Sequence, residues 1–303
     1  MEGATSGAAQ RRRSMTSRIL LKDGRLRPVL RVLIYVTLIV AVDSLARHVA
    51  RSLWMWEALT SVAAIGGAVV LRIVLDRRSV ASLGVTFRTR WALLFFLGVA
   101  LGAGMQLLAF AVELALGNTR VTGLGSLSID MRALLPWGPL FLIAALAEEY
   151  PLRGYGLQNL WEEFGFWPAV ILTSLFFALL HTHNPHFSEH PWIAACDIAV
   201  DGIWACLGVL WTRSLWLSWG AHFAWNLFEG PVLGTPVSGI STGGSFVAQS
   251  VTGPSVLTGG TFGPEAGWIG LLAELAGLAV LYALYRFGAF ASLPDTREAY
   301  AKQ

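Results

Sequence analysis

The chain is short of charge. Of its 303 residues, 14% are Asp, Glu, Lys or Arg, against about 25% in an ordinary soluble domain. It is also short of cysteine. Cys196 and Cys206 both sit in an apolar segment with no CxxC spacing, which excludes a secreted disulfide framework and leaves them as buried, inert thiols. Two signatures of intramembrane hydrolysis are missing as well. Asp201 is followed by Gly202 but preceded by Ala199 and Val200, so there is no GxGD, and HTHN at 181–184 lacks the glutamate of HExxH. What is abundant is apolar: 55% of the residues are hydrophobic, gathered in several long stretches. A pair of soluble domains is excluded, and an all-α, polytopic membrane helical bundle is expected.

The few charges are informative by position. Before Pro28 stand Arg11, Arg12, Arg13, Arg18, Lys22, Arg25 and Arg27 against Glu2 and Asp23. This reads as a basic cytoplasmic tail, residues 1–27, held at anionic lipid headgroups rather than on nucleic acid. It is long for a signal n-region, and no convincing small-residue cleavage site follows the first apolar run, so a cleaved signal peptide is not expected. About eight transmembrane helices are expected, at roughly 28–46, 53–75, 91–116, 134–160, 166–183, 192–212, 214–229 and 266–287. Arg72, Arg77, Arg78, Arg88 and Arg90 around the second loop agree with a cytoplasmic N-terminus. An even number of spans returns the tail, 291–303, to the same side. Arg31 and Asp43 interrupt the first span, where snorkelling near its ends would accommodate them. The bundle as a whole covers 28–290. Within it, residues 231–264 carry eight glycines and no charge. They cannot form a regular spanning helix. A flexible loop is the default expectation, with a loop packed over the mouth of the bundle as the alternative.

Ionisable residues inside apolar spans are functional candidates. The positions at issue are Glu148, Glu149, Arg153, His181, His183, Asp197, Asp201 and His222, joined by Asn226. Glu149 and Arg153 are four residues apart and share a helical face, while Glu148 points about 100° away. Glu149 therefore has a counter-ion and Glu148 is left free. Phe177 and His181 repeat the four-residue offset, as do His222 and Asn226. A carboxylate in a low-dielectric cavity can act as a general base toward water. Histidines can orient the water, and an asparagine amide can donate to an oxyanion. Zinc held by Glu148, His181 and His222 is the other arrangement that these residue types allow.

EEYPLRG, SLFFALLHTHN and WGAHFAWN resemble, in order, the EExxxR, FxxxH and HxxxN motifs of the CPBP family. These are the intramembrane glutamic endopeptidases related to the CAAX prenyl endopeptidase Rce1 and to bacteriocin-immunity proteins. The likeness is strongest over a catalytic core of about 134–230. It implies an Rce1-like bundle in the bacterial inner membrane that works without metal or other cofactor. Glu148 would activate water with His181 beside it, His222 and Asn226 would line the oxyanion side, and Glu149 and Arg153 would support them. The implied activity is endopeptidase cleavage of a hydrophobic or membrane-tethered peptide, with membrane lipids as the surroundings. A non-catalytic immunity, chaperone or transport-associated factor that binds a peptide in the same polar cavity is the alternative. Glu148 and His181 can meet only if the fourth helix continues through YGLQNLW to about Trp161.

Overall fold

The computed structural model describes residues 20–87, 90–125 and 127–291, the backbone alone over 127–134. The arginines before residue 20 and the tail after 291 lie outside the described residues.

The chain forms a helical bundle with two small antiparallel sheets. Strands β1 (Leu21–Lys22) and β2 (Arg25–Leu26) make a hairpin. Helices α1 (Pro28–Val49), α2 (Leu53–Val74) and α3 (Trp91–Ala115) follow, then β3 (Thr119–Leu124). Next come α4 (Leu127–Glu149), a π-helical segment (Tyr150–Gly156) and α5 (Leu157–Phe164), joined without a break. After them run α6 (Phe166–His181), α7 (Pro191–Thr212) and α8 (Trp216–Leu227), the last ending in a π-turn at Phe228–Val232. Strand β4 (Val247–Val251) pairs with β3, and α9 (Trp268–Arg286) completes the bundle.

Local chemistry sets several of these ends. Pro28 and Pro191 open α1 and α7, where the missing N–H costs nothing. Ser52 caps α2 by accepting from the Met55 amide at 3.2 Å. Gly165, with φ of +88°, makes the tight turn between α5 and α6.

Among the described residues, five helices are long and apolar enough to cross a membrane: α1, α2, α3, α7 and α9. The eight apolar stretches do correspond to helical rods, but α6 has 16 residues and α8 has 12 before its π-turn. The α4 segment carries Pro136 and Pro139 inside the helix. A sequence window registers hydrophobicity and cannot see that such a rod stops early or bends.

Close approach of glycines ties the bundle together. A Cβ on Gly98 or Gly102 of α3 would lie 2.1 Å from the Leu217 or Ala221 carbonyl oxygen of α8. One on Gly220 would lie 2.2 Å from the Phe95 oxygen. Small residues at this seam let the two backbones meet, as is common where lipid rather than water surrounds helices. The Gly98–Gly102 spacing is a GxxxG pattern, a signal of packing that the hydrophobic pattern alone does not show.

The end carrying the β1–β2 hairpin is locked by buried polar groups. Arg72 donates to Ser82 Oγ at 2.8 Å, to Asp76 Oδ2 at 2.8 Å and to Gln158 Oε1 at 2.5 Å. Arg31 reaches Asp76 Oδ1 at 3.3 Å, Asn159 at 3.4 Å and the Leu26 carbonyl at 2.6 Å. Arg31 is fully buried, so it does not snorkel to the lipid–water boundary as its place in an apolar span suggests. It is an internal tie between α1 and α5. Asp43, near the far end of α1, accepts from Arg47 and Trp56. The last part of the basic segment is likewise engaged with protein: Arg27 pairs with Glu163, and Lys22 donates to the Glu162 carbonyl.

At the opposite end the glycine-rich stretch is a folded cap. Trp137 Nε1 donates to the Thr242 carbonyl at 3.1 Å, and Gln249 Nε2 to the Leu233 carbonyl at 2.7 Å. The backbone approaches Pro185 so closely at Gly239 that a Cβ there would lie 2.0 Å from its oxygen. Glu189, in the α6–α7 connection, accepts from Thr261 N at 3.2 Å and Thr261 Oγ1 at 2.6 Å. The packed alternative holds, because the glycines permit close backbone contacts and carbonyl acceptors lie within reach.

Candidate active site

The long rod α4–α5 and helix α6 form an antiparallel pair about the turn at Gly165. Glu148 precedes that turn by 17 residues and His181 follows it by 16, and the Phe177 ring meets both His181 and His222, the latter 3.6 Å from Glu148. Continuation of the rod to Phe164, past Trp161, makes this possible. The π-helical segment falls where Pro151 lacks an amide hydrogen for the ladder, directly after the two glutamates.

Glu149 and Arg153 are 0% and 1% exposed, and their side chains meet at 3.1 Å. The Arg153 guanidinium lies over the Phe177 ring, 4.4 Å from its centroid, and reaches Asp201 of α7 at 3.6 Å. A Cβ on Gly202 would come within 2.8 Å of Ser174, so α7 approaches α6 closely beside that contact. The Phe177 ring also meets His181 edge-on at 4.8 Å and His222 at 6.0 Å. His181 Nδ1 lies 2.9 Å from the Phe177 carbonyl, which orients its ring from within its own helix.

His222 joins the two glutamates. Its Nδ1 is 3.2 Å from Glu149 Oε1, and its Nε2 is 3.6 Å from Glu148 Oε2. The pair differ in access: Glu149 is sealed, whereas the Glu148 side chain is 39% exposed. The α3–α8 glycine seam sets this contact, because Ala221, against which Gly102 packs, directly precedes His222. Asn226 is half-buried one turn further along α8.

Chemically the group is a carboxylate with one face open, set against an imidazole whose other nitrogen is fixed by a second carboxylate. The 3.6 Å separation exceeds a direct hydrogen bond and is too short to hold a water between the two groups, so water reaches Glu148 from its exposed side. The free Glu148 and paired Glu149 follow the helical spacing. The imidazole at ion-pair distance from Glu148, however, is that of His222 and not of His181. Asp201 was recognisable only as an acid inside an apolar span, since its partner lies on another helix.

Two further patterns lie near the cap and do not build sites of their own. HFSEH at 186–190 spells H-x-x-E-H, but it occupies a turn with His186 at φ of +63°, and Glu189 is bound to Thr261. GISTG at 239–243 spells Gly-x-Ser-x-Gly, yet it runs through a cap turn and not from a strand into a helix. Among the described residues no group of three or more His, Cys, Asp or Glu side chains is arranged to hold a metal ion.

A family model described as type II CAAX prenyl endopeptidase Rce1-like matches residues 130–228. No curated protein and no solved structure matches the chain. The matched segment holds Glu148, Glu149, Arg153, His181, His222 and Asn226, and leaves out the cap and helices α1 to α3.

Proposed function

We propose that the protein is an intramembrane endopeptidase that hydrolyses a peptide bond in a hydrophobic or membrane-tethered substrate, using water activated by Glu148. The observation that carries this reading is His222 standing between an open and a sealed glutamate. Glu148 takes a proton from water held on its exposed side beside His222, and the hydroxide formed attacks the scissile carbonyl. Arg153 and Glu149 hold the histidine without reaching the substrate. Asn226, on the same face of α8, donates to the oxyanion, and His181 relays the proton taken up by Glu148 to the amine that leaves as the C–N bond breaks. The reaction consumes one water and needs no metal or organic cofactor.

The match to an Rce1-like family model supports the peptidase assignment over a third of the chain. The bundle is proposed to cross the bacterial inner membrane eight times with its N-terminus in the cytoplasm. In that orientation the cap faces outward and substrate enters from the membrane or the cytoplasmic side. The test is a comparison of peptide termini in cells carrying wild-type protein or Glu148→Gln. Termini that vanish with the carboxylate identify substrates. An unchanged set, with purified wild type binding peptides that it never cuts, transfers the assignment to a non-catalytic peptide-binding factor.

A further inference from the structure

Behind the site lies a second polar region that the proposed chemistry does not use. Asp197 on α7, Glu229 in the π-turn after α8, Glu265 at the end of the cap and Glu274 on α9 are 0%, 0%, 7% and 4% exposed. They come from four separate parts of the chain that pack together: Ala194 and Ile198, on either side of Asp197, share a core cluster with Phe262 and Ala266 around Glu265, a Cβ on Gly263 would lie 2.8 Å from Glu229 Oε1, and Gly270, one turn before Glu274, packs against the Pro264 carbonyl. Glu265 accepts from Trp225, three residues beyond His222 on α8, so the region adjoins the site.

Their oxygens are treated unequally. Glu265 is satisfied by Trp225 Nε1 at 3.1 Å and Ser238 Oγ at 2.5 Å. Both oxygens of Asp197, both of Glu229 and Oε2 of Glu274 are buried without a protein partner. A buried carboxyl needs partners in either protonation state, donors when charged and at least an acceptor when neutral. Five such atoms in one region require a ligand that can donate and accept. A metal ion does not fit, because the carboxylates do not converge as a coordination group.

We infer that Asp197, Glu229, Glu265 and Glu274 line an internal chamber of bound water beneath the cap, continuous with His222. Water satisfies buried polar groups that protein leaves open, each molecule making about three hydrogen bonds. Resting on the proposed hydrolysis, the chamber is also the store from which the consumed water is replaced, while the acyl side of the site faces substrate.

The test is millisecond hydroxyl-radical labelling of the full-length protein in nanodiscs, in ordinary water and after mixing into H₂¹⁸O, read by mass spectrometry. This readout needs no cleavage, so it stands or falls apart from the peptidase assignment. Trp225, beside Glu265, is compared with Trp216, equally buried but packed among Leu94, Leu217 and Leu281. Oxidation of Trp225 several-fold above Trp216, with delayed ¹⁸O uptake, is expected. Glu274→Leu should reduce it, and Glu274→Gln, which keeps the polarity, should not. Equal and negligible labelling of the two tryptophans overturns the chamber. So does one sodium or potassium ion per protein retained through desalting and lost in Glu229→Gln.

Discussion

Helix α4–α5 carries two buried polar clusters, one around Gln158 and Asn159 and the other around Glu148 and Glu149. In the first, both oxygens of Asp76 are taken by Arg31, Arg72 and Asn159, and Gln158 bonds at both ends of its amide. Of the two arginines there, Arg31 Nη2 is a buried nitrogen without a partner. In the second, Arg153 reaches its carboxylates at 3.1 and 3.6 Å but without hydrogen-bond alignment, and Glu148 faces outward with an oxygen unpaired. Composition makes the clusters look alike, since each is a handful of charges in an apolar bundle. What separates them is saturation: the first has little capacity left to act on anything else, and the second has kept some. The same criterion brings Asp197, Glu229 and Glu274 to notice.

Breaking the saturated cluster has the largest expected effect on folding. Arg72→Met leaves Asp76 with Arg31 as its remaining counter-charge and strips Gln158 Oε1 of its donor, and loss of one partner from a buried pair costs about 3–5 kcal/mol. Chemical denaturation in detergent should show that loss, while cleavage per folded molecule stays near the wild-type rate. Glu149→Gln tests the boundary between the clusters. It should lower the melting temperature by leaving Arg153 short of its counter-charge, and it should lower cleavage through the freed His222. Addition of a stabilising lipid should recover the fold ahead of the rate.

Asn226→Ala should melt like the wild type and lose roughly 100-fold in turnover, the size of one oxyanion donor. Steady-state cleavage of a single identified peptide measures it, and an unchanged rate removes Asn226 from the reaction. The smallest effect belongs to the cap. Hydrogen bonding from Thr261 beside Glu189 holds that carboxyl below its usual range. Its contribution to closing the cap is therefore present above the ordinary carboxylate value and is lost as pH falls below about 4. Hydrogen exchange at residues 255–263 should rise there in the wild type, and Glu189→Gln should flatten the change.

The sequence made much of this legible and left a definable remainder. The pairing of Glu149 with Arg153 follows from a four-residue helical offset. The need for the rod to continue past Trp161 follows from counting to the turn at Gly165. These are local relations within one rod or across one turn. The choice of His222 over His181 as neighbour of Glu148 depends on the α3–α8 seam, where Gly98, Gly102 and Gly220 set the depth of approach. Asp201, Glu229, Glu265 and Glu274 come together only through tertiary packing, so their spacing in the chain carries no mark of it. Of these, only Asp201 stands among the candidates that the apolar spans single out; Glu229, Glu265 and Glu274 do not. The cap was misleading because glycine and proline density reads as flexibility, whereas here it permits backbone contacts that side chains would block.

Cleavage and thermal unfolding measured on the same purified samples of wild type and Glu148→Gln test the central claim most directly. Positioned general-base catalysis contributes about 10²–10⁴-fold. The account predicts that Glu148→Gln unfolds at the wild-type temperature, still binds the peptide and cleaves it slower by at least the lower end of that range. A variant that folds normally and cleaves at the wild-type rate would contradict it.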